Sequence, residues 1–590
     1  MGIKEQKRKN EKKAERGISP ENIQKALKKV KEKLLKFLEV VKGLLAKAGP
    51  LKDAAAGQIR KVKGGQPGAA GTRREPAGRA ASGDMTAGGT EREERFTTAR
   101  RISQEGRIQT QEMSREDRGR IQTREMSRED RDRRMRARQM KLRRRRRNLL
   151  IKMGAACLLI ILVVVFGVRA IVVKPRQARE KREAEAIEKL IAKADRQAAM
   201  YDYDAAIKTI KSYEGNYEEK ANLVKAVNKY EESKASCEPY PIDEITHIFF
   251  HVLIQDPAEA FGENSQMPDG LNIYMATVEE FNKIMESMYE KGYVLVRLSD
   301  VAPCTKDEDG NAVFDEEGGQ IMLPPGKKPF VLSQDDVCYY HSYEHSGMAD
   351  KLVLDENGDV KNEYTDADGN TSIGDYDMIP LLDTFLDKHP DFSYRGAKGI
   401  IALTGYNGIL GYRTDPTYNT EEDRDSHQQK WLDEHPDFNY EEECENAKKV
   451  AEALKKDDWE FASHSWGHVW QDKLGNDGFA TDAKKWMERV SPLIGGTDIW
   501  IYSNGEDVDN SQYAERFQVL RDYGFNYFCP VNSNLYSTEI YSDYMKQGRR
   551  NIDGYRMYYD MIDDDVDRLS DLFDVEEVFD KARPTPVPEI

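Results

Sequence analysis

One uninterrupted apolar run divides this chain and limits how it can fold. Met153–Val168 contains no charged residue, and apolar residues continue on both sides across Lys152 and Arg169. The whole zone is about 25 residues long, and about 20 apolar residues suffice for a helix to cross the hydrocarbon of a bilayer. A buried core helix, the alternative, rarely has so long an apolar sequence. We therefore predict a single transmembrane helix over residues 148–173.

Charge is distributed unequally on the two sides of this run. The first 147 residues contain 43 Lys and Arg against 20 Asp and Glu, whereas the remaining 443 residues contain 47 against 85. Five consecutive arginines, residues 143–147, precede the apolar run. Because positive residues flank a membrane span on its cytoplasmic side, we expect a cytoplasmic N-terminus and an extracellular C-terminal domain at the cell membrane.

The basic tail, residues 1–147, contains two patterned segments. Apolar residues at alternating steps of four and three predict an amphipathic helix over residues 20–48, which either self-associates as a coiled coil or lies on an anionic membrane. The segment Gly106–Arg118 recurs almost unchanged as Gly119–Arg131, and two copies are too few for a solenoid. No aromatic platform accompanies the arginines. We expect a largely disordered or helical tail that does not bind nucleic acid, with binding to lipid or ribosomal RNA as the alternative.

The remainder of the chain changes character twice. Residues 174–240 have helical composition and predict a helical stalk. Residues 241–573 alternate short strands with helices, such as the amphipathic helix Thr277–Lys291 and the strand Gly292–Leu298, which indicates an α/β domain with a parallel sheet or barrel. Residues 574–590 form a C-terminal tail. Six widely spaced cysteines exclude a dense disulfide framework.

Two short segments carry residues suited to chemistry. Asp335 and Asp336 directly follow an apolar strand, and His464 and His468 follow the predicted strand Trp459–Ala462. Histidines four apart on a helical turn face the same way and suit a metal ion, and a carboxylate at a neighbouring strand end supplies a third ligand. Two histidines and one aspartate with an open position are typical of hydrolytic metal sites. The alternatives are a solvated turn and an ordinary histidine pair.

Taken together, these segments resemble the polysaccharide deacetylases (carbohydrate esterase family 4, the NodB-homology domain). Ser333–Asp336 is similar to the family's TFDDG motif, and His464–His468 matches its H-[ST]-x-x-H motif. Ile248–His251 and the segment from Thr277 resemble the lead-in of the exopolysaccharide-deacetylase branch. The resemblance covers about residues 241–560 and implies a distorted (β/α)7 barrel with its active site at the C-terminal strand ends.

The resemblance also implies residue roles. Asp336, His464 and His468 would bind a divalent metal, and zinc is the ion that we expect. Asp335 would be the general base that takes a proton from the water attacking the acetamide carbonyl. The substrate would be an N-acetylated glycan.

The sequence departs from the family at the groups that move protons. Its third motif would fall at Ile501–Gly505, where the usual arginine partner of the base is absent. No histidine follows His468, so the family's late histidine acid has no counterpart. His251, His341 and His345 are the substitutes we consider, against a purely structural role for each.

We therefore expect a membrane-anchored hydrolase that removes N-acetyl groups from a cell-wall or extracellular polysaccharide. Tyr412, Trp466 and Tyr502 are candidates for stacking on sugar rings, with core packing as the alternative. A second hypothesis is a catalytically impaired domain that acts as a glycan-binding or cell-envelope scaffold. A third is a signalling anchor working through the basic tail. The acidic outer domain favours a neutral glycan over a strongly anionic one.

Overall fold

The structure, a computed structural model, describes residues 28–29, 32, 35–36, 39, 128–170, 174–263, 265–508, 511–563 and 565–590. The chain divides into two units, Met1–Arg124 and Glu125–Ile590. In the first unit the described residues are helical, and all of them lie within the predicted helix 20–48. The rest of that unit, and the repeat as far as residue 127, lie outside the described residues.

The described part of the second unit contains helices and strands throughout. The α-helices are α1 (Arg128–Val168), α2 (Lys174–Ala199), α3 (Tyr203–Lys211), α4 (Ala221–Ala235), α5 (Pro257–Ala260), α6 (Pro268–Tyr274), α7 (Val278–Glu290), α8 (Leu298–Val301), α9 (Met378–Lys388), α10 (Ser426–Glu434), α11 (Tyr440–Lys456), α12 (Asn476–Arg489), α13 (Ser491–Ile494), α14 (Ala514–Asp522), α15 (Gly554–Ile562) and α16 (Val575–Val578). The strands are β1 (Glu238–Pro239), β2 (Thr246–Phe250), β3 (Tyr293–Leu295), β4 (Cys304–Lys306), β5 (Ala312–Phe314), β6 (Met322–Leu323), β7 (Lys328–Gln334), β8 (Lys351–Leu354), β9 (Val360–Thr365), β10 (Thr371–Gly374), β11 (Ile400–Leu403), β12 (Glu460–Ser463), β13 (Ile499–Ile501), β14 (Tyr527–Cys529), β15 (Thr538–Ile540), β16 (Met545–Gln547) and β17 (Arg549–Asn551).

Most of these strands form one curled sheet, in the order β15-β16-β14-β13-β12-β11-β7-β2-β17, with β3 beside the start of β7. All of its pairs are parallel except β15 with β16. The sheet curls until β17 meets the segment after β14. There the Arg549 amide donates to the Pro530 carbonyl at 2.8 Å, and the Asn532 amide donates to the Arg549 carbonyl at 2.9 Å. The predicted α/β class is confirmed, while the count of seven barrel units stays a prediction.

Side chains alternate between the two faces of this sheet, as strand geometry requires. In β11, Ile400 and Ala402 join a cluster made mainly of strand residues, which fills the inside of the curl. Ile401 and Leu403 join a larger cluster that includes helix residues such as Phe281. The helices therefore cover the outer face of the sheet. Both faces are occupied by core packing, so a functional site is expected at the strand ends.

The apolar run lies in α1. Its part Arg133–Val168 is the helix in the described residues that is long and apolar enough to cross a membrane, with a mean hydropathy of 2.9 over its most apolar window. None of that window is buried. The arginines 143–147 belong to the same helix, so the predicted span begins as a continuation of a basic helix.

The stalk, α2–α4, joins the α/β domain through the two residues that directly follow α2. Tyr201 donates from its hydroxyl to the Asp391 carbonyl at 2.7 Å and stacks on Tyr394 at 6.4 Å between ring centroids. The Arg395 amide donates to the Met200 carbonyl at 2.7 Å. These barrel residues lie in the segment that leads into the start of β11. The stalk therefore contacts the N-terminal ends of the parallel strands.

Several local predictions are confirmed. The predicted helix Thr277–Lys291 is α7, which begins with a reciprocal capping box between Thr277 and Glu280. The predicted strand Gly292–Leu298 is the shorter β3. The C-terminal residues 574–590 pack on the domain, because Arg583 donates to Glu280 at 2.6 Å in a fully buried ion pair. All six cysteines are unpaired.

A buried carboxyl group at the stalk end of β12 predicts a pH dependence of stability. Burial raises the pKa of Glu460 from 4.5 to about 7, against the attraction of Arg297. As the pH rises, the unfolded chain loses the Glu460 proton before the folded chain does. The stabilisation of the folded state that the bound proton provides is therefore complete below about pH 4.5 and is lost as the pH rises to about 7. We expect Glu460→Gln to gain stability relative to wild type by about 2 kcal/mol between these pH values. The free energy of unfolding of the full chain in detergent, measured at both pH values, tests this prediction, and the exposed Glu445→Gln is the control. If Glu460→Gln and wild type differed in stability by the same amount at both pH values, the prediction would be contradicted.

Candidate metal centre

The two predicted aspartates lie at the C-terminal end of β7. The Asp335 amide donates to the Phe250 carbonyl at 2.8 Å, which extends the β2–β7 ladder by one residue. Asp336 then turns with φ of 61°, a left-handed conformation that aspartate tolerates better than most residues. Both side chains are buried, with exposures of 2% and 5%. The turn separates the two carboxylates, so each has its own set of neighbours.

The two predicted histidines follow β12, at the same end of the sheet. The prediction that they share a helical turn is wrong. Residues 464–468 form a bent loop, with Ser465 at φ 60° and His468 at φ 50°. Asp482 of α12 holds this loop by accepting hydrogen bonds from the Trp466 and Gly467 amides at 2.9 and 2.8 Å. The bend, not a helical repeat, brings the two imidazoles together.

Asp336, His464 and His468 converge on one point, with donor atoms all within 4.8 Å of one another. Asp336 Oδ1 lies 3.9 Å from His464 Nε2 and 3.7 Å from His468 Nε2. Ligand atoms bound tetrahedrally to zinc at about 2.0–2.2 Å are about 3.4 Å apart, so the three groups need to close only slightly. Two imidazoles and one carboxylate fit a divalent transition metal.

The protonation state of His464 also fits a metal ligand. Its Nδ1 lies 3.1 Å from the Ile501 carbonyl oxygen, which can only accept, so Nδ1 carries the proton and Nε2 presents its lone pair. Burial lowers the pKa of His464 to about 4, although Asp335 and Asp336 oppose this shift. The imidazole is therefore neutral at neutral pH, as metal binding requires.

Tyr340 is a positioning residue for Asp336 that the sequence reasoning missed. Its hydroxyl donates to Asp336 Oδ1 at 2.6 Å and lies 2.8 Å from Thr404 Oγ1, which follows β11. Burial opposes the charge on Asp336, but the nearby His468 and His464 and this hydrogen bond lower its pKa. The tyrosine thus fixes the ligand carboxylate and favours its ionised form.

Arg549 is the second residue that the sequence reasoning missed. Its Nη1 donates to Asp335 Oδ1 at 2.7 Å, and neither side chain is more than 3% exposed. Burial opposes ionisation of Asp335, but the charge of Arg549 lowers its pKa to about 2. The other carboxylate oxygen, Oδ2, lies 3.8 Å from His464 Nε2. Asp335 is therefore held ionised beside the metal ligands by an arginine from β17 instead of the third motif.

His251 follows β2 and is level with Asp335, because Phe250 and Gln334 are paired across β2 and β7. Its Nδ1 lies 3.0 Å from the Tyr274 carbonyl oxygen, so this nitrogen is protonated and Nε2 is the remaining functional atom. The ring is half-buried, and it is close enough for its charge to lower the pKa of Asp335. Among the three histidines considered as proton donors, His251 is the one at these strand ends.

The other two histidines lie to one side of the metal centre. His341 Nδ1 is 3.0 Å from Glu344 Oε1, and its Nε2 is 2.6 Å from the Tyr418 hydroxyl. His345 is exposed on the same segment. Both line a cavity next to Tyr340 and not the metal centre itself.

The three aromatic residues predicted to stack on sugars occupy different environments. Tyr502 has no exposed surface and stacks on Phe528, so its ring is part of the core and does not face a ligand. Tyr412 is 5% exposed, with Lys351 over its ring. Trp466 is half-buried under Lys485, which lies 4.1 Å from its ring centroid. Core packing therefore accounts for Tyr502.

Comparison with known proteins gives two distant structural similarities. No protein family model matches the chain, and no curated protein matches it. The Streptococcus pyogenes deacetylase PplD, solved in complex with acetate, aligns at 13% identity over 54% of this chain and 94% of that chain, with a TM-score of 0.28. A CE4 family pseudoenzyme from Bacillus anthracis aligns at 15% identity over 25% of this chain and 37% of that chain, with a TM-score of 0.16. We take no residue role from either protein.

The hydrogen bond from Tyr340 predicts a specific loss of metal affinity. We expect Tyr340→Phe to weaken binding about tenfold, because a ligand carboxylate without its outer partner is less well oriented. Competition titration of zinc against a chromogenic chelator measures this. The matched control is Tyr339→Phe, whose hydroxyl donates to Asp377 at 2.7 Å instead of to a ligand. Equal zinc affinities for the two variants would contradict the assignment.

Proposed function

We propose that this chain is a membrane-anchored, metal-dependent hydrolase that removes N-acetyl groups from a cell-wall or extracellular polysaccharide. The observation that carries the proposal is the pairing of two separate aspartates at one strand end. Asp336 lies with two histidines in a metal-type triad, while Asp335 lies beside them and is held by Arg549. This is the division of labour that metal-assisted hydrolysis needs.

Asp336, His464 and His468 would hold the divalent cation, most simply zinc. When bound, the cation supplies Lewis acidity that activates water and polarises the acetamide carbonyl. His464 presents Nε2 because its Nδ1 proton is used by the Ile501 carbonyl. The side chain of His468 is 30% exposed, which makes this edge of the triad the open side.

Asp335 acts as the general base for the attacking water. Arg549 fixes its Oδ1, so Oδ2, on the side of His464, receives the proton. A carboxylate with so low a pKa is a weak base in isolation. Its effectiveness here depends on close positioning, because a water held against it needs no further reorganisation.

His251 donates the proton that the leaving nitrogen requires. Its Nδ1 proton is held by the Tyr274 carbonyl, so only a proton on Nε2 is free to transfer. Attack by water forms the new carbon–oxygen bond, the carbon–nitrogen bond breaks, and the nitrogen leaves with the proton from His251. The products are acetate and a free amine on the sugar. His251 would thus take the role of general acid, for which the sequence has no histidine after His468.

The proposed chemistry predicts separable effects of two substitutions. We expect Asp335→Asn to lower kcat for acetate release from N-acetylglucosamine oligomers by about 1,000-fold or more, because the base is lost. We expect His251→Gln to lower kcat by about 100-fold, with zinc binding retained in both variants. His389→Gln, a histidine that directly follows α9 and lies outside both the triad and the cavity next to Tyr340, is the control. Stoichiometric zinc without acetate from any glycan, in wild type, would instead favour a glycan-binding scaffold.

The position of the stalk also bears on how far the site lies from the membrane. The arginines before the span put the stalk outside the cell. The stalk helix α2 has 26 residues and is about 39 Å long at 1.5 Å per residue. Its far end contacts the N-terminal strand ends, whereas Asp335 and His464 lie at the C-terminal ends. We therefore infer that the site stands well away from the lipid surface and acts on a polymer instead of a membrane-bound precursor.

This geometry predicts a dependence on distance from the bilayer. In vesicles containing the full chain, an N-acetylated oligosaccharide attached directly to a lipid should release acetate at least tenfold more slowly than the same oligosaccharide on a long, flexible spacer. The reason is that α2 alone holds the domain about 39 Å away if it stands upright. The free oligosaccharide is the control for intrinsic activity. Equal rates for both lipid-linked forms would show that the site reaches the membrane.

A further inference from the structure

A large cavity adjoins the metal centre without including its ligands. It has a volume of about 1250 Å³ and is lined by segments around Tyr340–Val353, Glu363–Thr365, Tyr406–Arg413 and Asp425–Asn446. A single small-molecule site is usually about 300–1,000 Å³, so this cavity has room for several sugar rings. We call it the acidic cavity, for the reason given below.

Tyr340 connects the acidic cavity to the metal centre. The tyrosine lines the cavity and donates to Asp336 Oδ1 at 2.6 Å. Tyr406, also in the wall, stacks on Tyr340 with ring centroids 5.2 Å apart. The acidic cavity therefore adjoins the triad at Tyr340, the residue that the two sites share.

The charge of the acidic cavity is strongly one-sided. Its lining contains eight carboxylates and three Lys or Arg residues. The cations are already paired, as Lys351 with Glu363 at 3.0 Å, Arg413 with Glu344 at 2.9 Å and Lys430 with Glu434 at 3.8 Å. Four lining carboxylates form no ion pair among the described residues: Asp350, Asp437, Glu442 and Glu443. A cleft lined by one sign of charge concentrates ligands of the opposite sign.

The wall of the cavity is rigid and retains an unused hydrogen-bond donor. Glu344 Oε1 accepts from Trp431 Nε1 at 3.0 Å and from Arg413 Nη2 at 2.9 Å, which fixes both side chains. Arg413 is 3% exposed, and its Nε has no acceptor among the described residues. Buried donors of this kind normally have a partner. The wall of the cavity therefore contains a polar atom whose hydrogen-bonding capacity the described residues leave unused.

We infer that the acidic cavity binds the glucosamine units of a partly deacetylated glycan, so that acetate is removed preferentially next to units already deacetylated. This inference rests on the proposed function. Removal of an acetyl group turns a neutral acetamide into an amine that is cationic at neutral pH. The cavity carries the charge that distinguishes this product unit from the starting unit, at a position adjoining the reacting centre.

The test compares two oligosaccharides with the full chain in detergent, loaded with zinc. One is the fully N-acetylated tetramer, and the other has glucosamine in all but one position. We expect a KM about tenfold lower for the second substrate, with the advantage shrinking as salt is raised, because exposed charges are screened. Equal KM values in wild type, unaffected by salt, would overturn the inference.

Paired variants separate the cavity from general charge effects. Asp437→Asn with Glu442→Gln removes two exposed cavity carboxylates without changing side-chain size. We expect KM for the glucosamine-rich tetramer to rise about fivefold, with kcat and the KM for the acetylated tetramer unchanged. The matched control is Asp433→Asn with Glu445→Gln, which removes two carboxylates from α10 and α11 outside the cavity lining. An equal rise in both substrates' KM, or in the control, would overturn the inference.

Binding of the product keeps this test separate from catalysis. Calorimetric titration with the fully deacetylated tetramer should give binding that the cavity pair weakens and the control pair does not. If neither acetylated substrate releases acetate but this binding persists, the proposed hydrolase fails and the cavity assignment stands. If the tetramer does not bind wild type, the cavity assignment fails whatever the activity.

Discussion

The buried ion pair between Arg549 and Asp335 is the interaction on which the rest of this domain depends. Arg549 closes the curled sheet through its backbone, which pairs with the segment after β14, and its side chain holds Asp335. Gly548 makes the passage from β16 to β17 possible, because a Cβ there would lie 2.4 Å from the Asn532 Cβ. The same residue therefore closes the sheet and orients the Asp335 carboxylate.

This ion pair also explains why the site favours a cation. Asp335 and Asp336 are both ionised and buried, and Arg549 is a fixed positive charge in contact with Asp335. His464 is neutral at neutral pH for the reasons given above. The negative charge of Asp336 is thus left without a fixed counter-charge although its side chain is buried, which is costly unless something neutralises it. A divalent cation held by Asp336 and the two histidines would supply that charge.

The sequence predicts those parts of the site that depend on local order. Asp335 and His464 each follow an apolar strand, and parallel strands bring their ends together, so their proximity follows from pattern alone. Arg549 is 214 residues from Asp335 along the chain, and only the strand order makes them neighbours. The sequence does not reveal that the Tyr502 ring is in the core, because an aromatic residue at a strand end has the same sequence pattern whether it faces a ligand or the core. The prediction of a helical turn for His464 and His468 is wrong because the spacing of residues in the sequence does not reveal where the backbone adopts a left-handed conformation, as it does at Ser465 and His468.

The two ends of the sheet thus have separate tasks, and charge reinforces the separation. The stalk meets the N-terminal strand ends, while the metal-type triad and the acidic cavity lie at or beside the C-terminal ends. Residues 148–590 carry an excess of 38 acidic side chains, and anionic lipid headgroups repel such a domain at distances within about 8 Å. Electrostatic repulsion from anionic lipids and the long stalk helix would both keep the domain away from the membrane surface. Under the proposed function, a domain held off the membrane in this way would meet long glycan chains before lipids, and the acidic cavity would favour chains that are already partly deacetylated.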